Sequence, residues 1–92
     1  MHETRLVRNL VHQLERAAQE AGAERVSGVA VWLGALSHFS PEHFRQHFDD
    51  EARGTVAEGA ALEIEMSQDI GHPDAQNVMM RSINLEVPDR NQ

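Results

Sequence analysis

The stretch Arg25–Ser37, RVSGVAVWLGALS, predicts the central strand of a small sheet. It is rich in β-branched and apolar residues, which favour extended backbone. In a strand, Val29, Val31 and Leu33 point to one face, and Trp32 points to the other. Because both faces are apolar through the middle, we expect this strand to be covered at least partly on both sides. Trp32 fits packing at the core or its edge better than a partner-facing anchor.

Two amphipathic helices flank this strand in the sequence. Apolar residues recur at three- and four-residue spacing over Leu6–Ala21, which predicts a helix with one buried stripe that ends at Gly22. Ser40-Pro41-Glu42 is a strong helix start, because serine caps free amides and proline fits the first turn. Phe44 and Phe48 follow four residues apart and should pack inward on one face of this second helix.

Two further strands complete the predicted domain. Ala61–Met66 and Ile83–Val87 alternate between apolar and polar residues, which predicts half-buried antiparallel strands with one wet face. Between them, Ser67–Asn77 is dense in turn formers and predicts a loop or hairpin connection. The element order is therefore helix, strand, helix, strand, strand. We predict one α+β domain over residues 1–92, with two helices and a small, mostly antiparallel three-stranded sheet.

Composition excludes several functional classes. The chain has no cysteine, so disulfides, cysteine-based zinc sites and a thiol nucleophile are ruled out. A net charge of −7 argues against non-specific nucleic-acid binding, which needs a basic face. There is no apolar run long enough to cross a membrane and no signal-peptide pattern, so a cytoplasmic location is expected. Neither a phosphate loop nor an activated nucleophile is evident, so we do not expect an enzyme.

The opening residues Met1-His2-Glu3 bring a compact set of metal donors together. The terminal amine, the His2 backbone nitrogen and the His2 ring can close chelate rings around one ion, and Glu3 can add a nitrogen or a carboxylate. Such nitrogen-rich sets suit Ni(II) and Cu(II). We expect these residues to precede the first helix as a flexible lead. The simpler interpretation is a frayed terminus with an exposed histidine.

A weaker metal-site alternative lies in and before the second helix. His43 and His47 are four residues apart, a spacing that lets two imidazoles on a helix share a metal. His38 precedes them in the connecting loop. No glutamate follows His43 as it would in the HExxH zinc-protease motif. A solvated histidine pair beside the phenylalanines is the simpler interpretation.

In combination, several stretches of the chain resemble the HypA/HybF family of hydrogenase maturation proteins. The resemblance covers nearly the whole chain in the right order, and Arg53–Ile64 is its closest part. In chain order the stretches are Met1–Glu3, Val26–Val29, Gly34–Ser37, Ser40–Phe44, Arg53–Ile64 and Ser82–Val87.

The resemblance implies a non-enzymatic nickel metallochaperone for [NiFe]-hydrogenase maturation. It implies that Met1, His2 and Glu3 bind Ni(II). It also implies that the protein works with HypB, a nickel-binding GTPase, and passes the ion to the hydrogenase large subunit.

The chain departs from the family between its last two strands and at Gln46, where the family usually has an aromatic or large apolar residue. Family members insert a zinc domain with two CxxC pairs between the last two strands, where this chain has only Ser67–Asn77. It therefore resembles a short form without that domain, and no zinc is expected. The alternative function is a metal-free interaction paralogue, which binds maturation partners or self-associates as a homo-oligomer through an exposed strand edge.

Overall fold

A computed structural model of the protein describes the backbone of residues 2–88 and the side chains of residues 4–88. It contains two helices and one three-stranded sheet, in the predicted order, which confirms the α+β class. The elements are α1 (His2–Ala21), β1 (Arg25–Leu33), α2 (Pro41–Ala52), β2 (Ala61–Met66) and β3 (Val78–Glu86). Neither helix is long and apolar enough to cross a bilayer, within the part of the chain that is described.

The strand order is β2-β1-β3, so the valine-rich strand is central as predicted. β1 pairs in parallel with β2 and antiparallel with β3. The sheet is therefore mixed, and the prediction that Ala61–Met66 is antiparallel is wrong for its pairing with β1. The physical reason is α2, since a connection that contains a helix carries the chain back to the end of the sheet from which β1 started.

The first helix is longer than predicted. It begins at His2 rather than Leu6, and ends before Gly22, which has a φ of +70°. No proline or glycine interrupts residues 2–5, and Glu3 is a favourable residue in the positively polarised first turn. The buried stripe of α1 is made of Val7, Leu10, Val11, Leu14 and Ala18.

The start of α2 is built as its sequence predicts. The Ser40 hydroxyl accepts a hydrogen bond of 3.1 Å from the backbone N–H of His43. Phe44 and Phe48 are fully buried against α1 and the sheet. Phe39, just before the cap, packs edge-on against Phe44 with ring centroids 5.3 Å apart. The core thus lies between the two helices and one face of the sheet.

The other face of the sheet is partly covered by residues 67–77. This segment is not a hairpin, because β2 and β3 lie on opposite sides of β1 and the chain must cross the end of the central strand. The N–H groups of Gly34 and Leu36 donate to the carbonyls of Asn77 and Ala75, at 2.9 and 2.7 Å. The Ser67 N–H donates back to Leu33 at 2.9 Å. Both ends of the segment are therefore fixed to the end of β1.

Candidate metal centre

His2 and Glu3 lie in the first turn of α1. The expectation that the Met1–Glu3 motif precedes all regular structure is therefore wrong for these two residues. Met1 itself, and the side chains of His2 and Glu3, lie outside what the structure describes. The first four backbone N–H groups of a helix have no intrahelical acceptor. The backbone nitrogens of His2 and Glu3 are thus available to a metal without loss of a helical hydrogen bond.

Among the side chains that the structure describes, packing of Val7 and the ion pair between Arg8 and Glu51 hold the start of α1 in place. Val7, about one turn after Glu3, is fully buried. Arg8 Nε lies 3.1 Å from Glu51 Oε1, near the end of α2. The Glu51 side chain is only 21 % exposed. Surface ion pairs of this kind contribute at most about 1 kcal/mol to the free energy of unfolding. The main effect of this pair is therefore to fix the position of α1 relative to α2.

His43 and His47 are brought together on α2. Their ring centroids are 5.3 Å apart and the rings are tilted by 51°. His43 is exposed, whereas His47 is half-buried. Two imidazoles at this spacing can both reach one transition-metal ion.

His38 does not join this pair in a metal-binding group. It lies in the loop before α2, exposed, with a left-handed φ of 69°. Over the described residues, no three side chains among His, Cys, Asp and Glu are placed to hold one ion. Of the three histidines in the alternative metal site, the structure therefore brings only His43 and His47 together.

His72 has a structural role in the segment of residues 67–77. Its ring lies against Trp32, and its Nδ1 accepts a hydrogen bond of 2.9 Å from the backbone N–H of Asp74. With Nδ1 as the acceptor, the neutral ring carries its proton on Nε2. The sequence feature that pointed to this role was Trp32, because a large apolar side chain on the outer face of the sheet needs another group to cover it.

A family model described as "Hydrogenase/urease nickel incorporation, metallochaperone, hypA" matches residues 1–72. Curated relatives carry the name "Hydrogenase maturation factor HypA". One from Methylocella silvestris is 41% identical over 66 residues, which are 72% of this chain and 58% of that protein. "Hydrogenase maturation factor HypA 1" of Bradyrhizobium diazoefficiens is 42% identical over 64 residues, 70% of this chain and 57% of that one. The matched part thus spans a little over half the length of these relatives.

Two solved structures share the fold. The solution structure of the Ni metallochaperone HypA from Helicobacter pylori superposes with a TM-score of 0.77 at 16% identity, covering 94% of this chain and 98% of that one. A second, described as "Solution structure of HypA protein", gives 0.76 at 19% identity, covering 96% and 98%. At such identities the likeness shows the fold alone, whereas the family match extends over most of the sequence. This chain therefore belongs to the HypA family of hydrogenase and urease nickel-incorporation proteins.

Proposed function

We propose that this protein is a nickel metallochaperone that binds Ni(II) through Met1, His2 and Glu3 and passes it towards the large subunit of a [NiFe]-hydrogenase. The observation that carries the proposal is the family match, which starts at residue 1 and so includes the whole motif. The proposal includes cooperation with a HypB-like GTPase, a cytoplasmic location and no catalytic reaction of its own.

The donor set at the start of α1 suits nickel chemically. The terminal amine, the backbone nitrogen and the ring of His2 can form fused chelate rings, and Glu3 adds a further nitrogen or oxygen. Such ligands must lose protons before they bind a metal, so affinity falls as the pH falls and binding releases protons. Imidazole and amide nitrogens favour Ni(II) and Cu(II) over the hard cations Mg²⁺ and Ca²⁺.

The proposal treats residues 1–92 as one nickel-binding domain in which residues 67–77 stand where the family's zinc domain is inserted. The order of this segment supports the idea. Asp69 Oδ1 accepts from the Gly71 N–H at 3.0 Å, and Asn77 Nδ2 donates to Asp74 Oδ1 at 3.1 Å. These hydrogen bonds, together with the attachment of the segment to β1, support a domain that needs no zinc-bound insert at this place.

The test is a calorimetric titration of Ni(II) into protein that begins with the authentic Met1. We expect binding by the parent and by His12→Ala, which removes an exposed histidine on α1 as a matched control. We expect little or no binding by His2→Ala. A variant with one glycine added before Met1 should also lose binding, because the Met1 nitrogen becomes an amide. If His2→Ala titrates like the parent, the site is not at the N-terminus.

One observation favours a second candidate function, a metal-independent interaction module. In the described part of the chain, β2 and β3 each leave one backbone edge unpaired, and Ile70, in the segment that joins these strands, is 70% exposed. Free strand edges can pair with another chain. Pull-down of the hydrogenase large subunit and of a HypB-like GTPase, with the parent and with His2→Ala, separates the candidates. Equal capture with and without nickel by both forms favours the interaction module, as does dimer formation by the metal-free parent.

A further inference from the structure

We propose that His43 and His47 supply imidazole ligands to the same nickel ion that the N-terminal motif binds, so that the cargo is held between the two helices. This inference rests on the proposed function and extends its donor set from α1 to α2.

α1 and the α2 region approach each other at two points. Arg8 of α1 contacts Glu51 of α2 through their side chains. Further along both, Ala18 and Val56, the latter just beyond the end of α2, line the same surface cavity. Residues that come later in α1 therefore lie beside residues that come later in the α2 region. The two helices run in parallel along their contact.

The contact between Arg8 and Glu51 sets the register of α1 against α2. Residues four apart on a helix lie one above the other on the same side. One turn before Arg8 is Thr4, and one turn before Glu51 is His47. Both Thr4 and His47 are half-buried. Register thus places His47 level with the first turn of α1, which begins at His2, and His43 one turn further in the same direction.

The rings of His43 and His47 are close together on α2. Packed helices lie about 8–10 Å apart between axes, a gap that side chains from both sides bridge. His43 is exposed, and its ring is 5.3 Å from that of His47. Two imidazoles therefore stand beside the helix end that carries the motif, on the side of α2 that also bears the Glu51 contact.

α2 carries more negative than positive side chains. The α2 sequence, PEHFRQHFDDEA, contains four carboxylates and one arginine. Glu51 and Asp50 each have an arginine partner, so part of this charge is compensated locally. The remainder lowers the energy of a divalent cation near the histidines, and its effect is strongest at low salt.

The experiment measures Ni(II) affinity, stoichiometry and coordination in parallel for five proteins with an authentic Met1. They are the parent, His43→Gln, His47→Gln, the double variant, and His12→Gln as a matched control on an exposed helix position. X-ray absorption of the nickel-loaded forms counts imidazole ligands. Circular dichroism of the metal-free forms checks that each variant is folded.

We expect one ion per chain and more than one imidazole ligand in the parent. The double variant should bind about tenfold more weakly or worse, the size of loss seen when groups that support a metal site are removed. His12→Gln should match the parent. If the double variant keeps both the parent's affinity and its imidazole count, the inference is wrong while the N-terminal site stands. Two independent ions per chain would also overturn it.

His2→Ala, measured as a sixth protein beside these five, separates this inference from the proposed function. Loss of binding in His2→Ala together with weakening in the double variant supports a shared site. Loss in His2→Ala alone leaves the N-terminal motif as the whole site and overturns the inference. Loss in the double variant alone assigns the metal to α2 and overturns both.

Discussion

The indole of Trp32 lies against the imidazole of His72, with ring centroids 4.9 Å apart and planes inclined by 48°. Trp32 is on the face of the sheet opposite the helices, yet it is only 4% exposed. Residues 67–77 therefore act as a cover for this end of the sheet.

Gly34→Ala should destabilise the fold strongly, because the chain crosses directly over Gly34. A Cβ at Gly34 would stand 2.2 Å from the carbonyl oxygen of Ala75 and 2.6 Å from its carbon, both backbone atoms. Overpacking of this kind costs about 1–3 kcal/mol or more. Urea unfolding followed by tryptophan fluorescence measures the loss.

The matched control for that substitution is Gly71→Ala in the covering segment. Its Cβ would meet only Asp69 Oδ1, at an ordinary 3.5 Å. We expect a change in unfolding free energy within about 0.5 kcal/mol. Equal midpoints for Gly34→Ala and Gly71→Ala would contradict the described path of the segment.

His72→Ala should expose one side of Trp32, the only tryptophan in the chain. The contact between the rings and the hydrogen bond from the Asp74 N–H are both lost. Aromatic pairs contribute about 0.5–1.5 kcal/mol beyond their buried area. We expect a red shift of the native emission and a loss of that order in unfolding free energy. His12→Ala is the control, and an unchanged spectrum in His72→Ala would argue against the contact.

Phe48→Ala should remove a large part of the stability of this small domain. Phe48 is 1% exposed and packs from α2 against α1 and the sheet. Truncation of a buried phenylalanine costs about 3–5 kcal/mol, through lost transfer energy and the cavity left behind. Ile70→Ala, at a position 70% exposed, should stay within about 0.5 kcal/mol. Chemical denaturation of the two variants side by side tests the placement of the core.

Ser40→Ala should cost about 1 kcal/mol, since the hydroxyl that accepts from the His43 N–H is lost. Ser40→Asp should retain the stability, because its carboxylate accepts the same hydrogen bond and is favoured at the positive end of the helix. The unfolding temperatures of both variants, compared with that of the parent, test this prediction. An unfolding temperature of Ser40→Ala equal to that of the parent would show that the cap contributes little.

Nickel should raise the unfolding temperature only if α2 contributes ligands. The Met1–Glu3 donors are consecutive in sequence, so they can chelate Ni(II) in the unfolded chain as well as in the folded one. A ligand stabilises the fold only by its preference for the folded state. We therefore expect a nickel-dependent rise for the parent that is lost in the His43→Gln, His47→Gln double variant. No rise for the parent, under conditions where calorimetry shows saturation, would contradict a shared site.

Local signals in the sequence predicted most of the elements. Ser40 and Gly22 marked a helix start and a helix end, and the alternation of Ala61–Met66 marked a strand. The direction of a strand could not be predicted in this way, because the alternation of apolar and polar residues is the same in parallel and antiparallel strands. The signal that was available was the helix between the two strands, which favours a parallel pair.

The candidate site was predictable only in part, for a similar reason. The spacing of His43 and His47 follows from helical periodicity, and the motif at Met1 is readable directly. The position of these histidines relative to the start of α1 depends on the register set by Arg8 and Glu51, which are far apart in sequence. No local pattern encodes which residues of two helices meet.

The crossing of residues 67–77 over the end of β1 gives the molecule a natural place to be divided. In the described residues, β3 pairs with β1 alone and is linked to the rest through this segment, whose Ile70 and Gly71 are exposed. A break between these two residues yields a short C-terminal peptide that holds a whole strand and the His72 ring. The protein is thus suited to fragment complementation, in which the peptide docks as the missing strand and Trp32 reports reassembly.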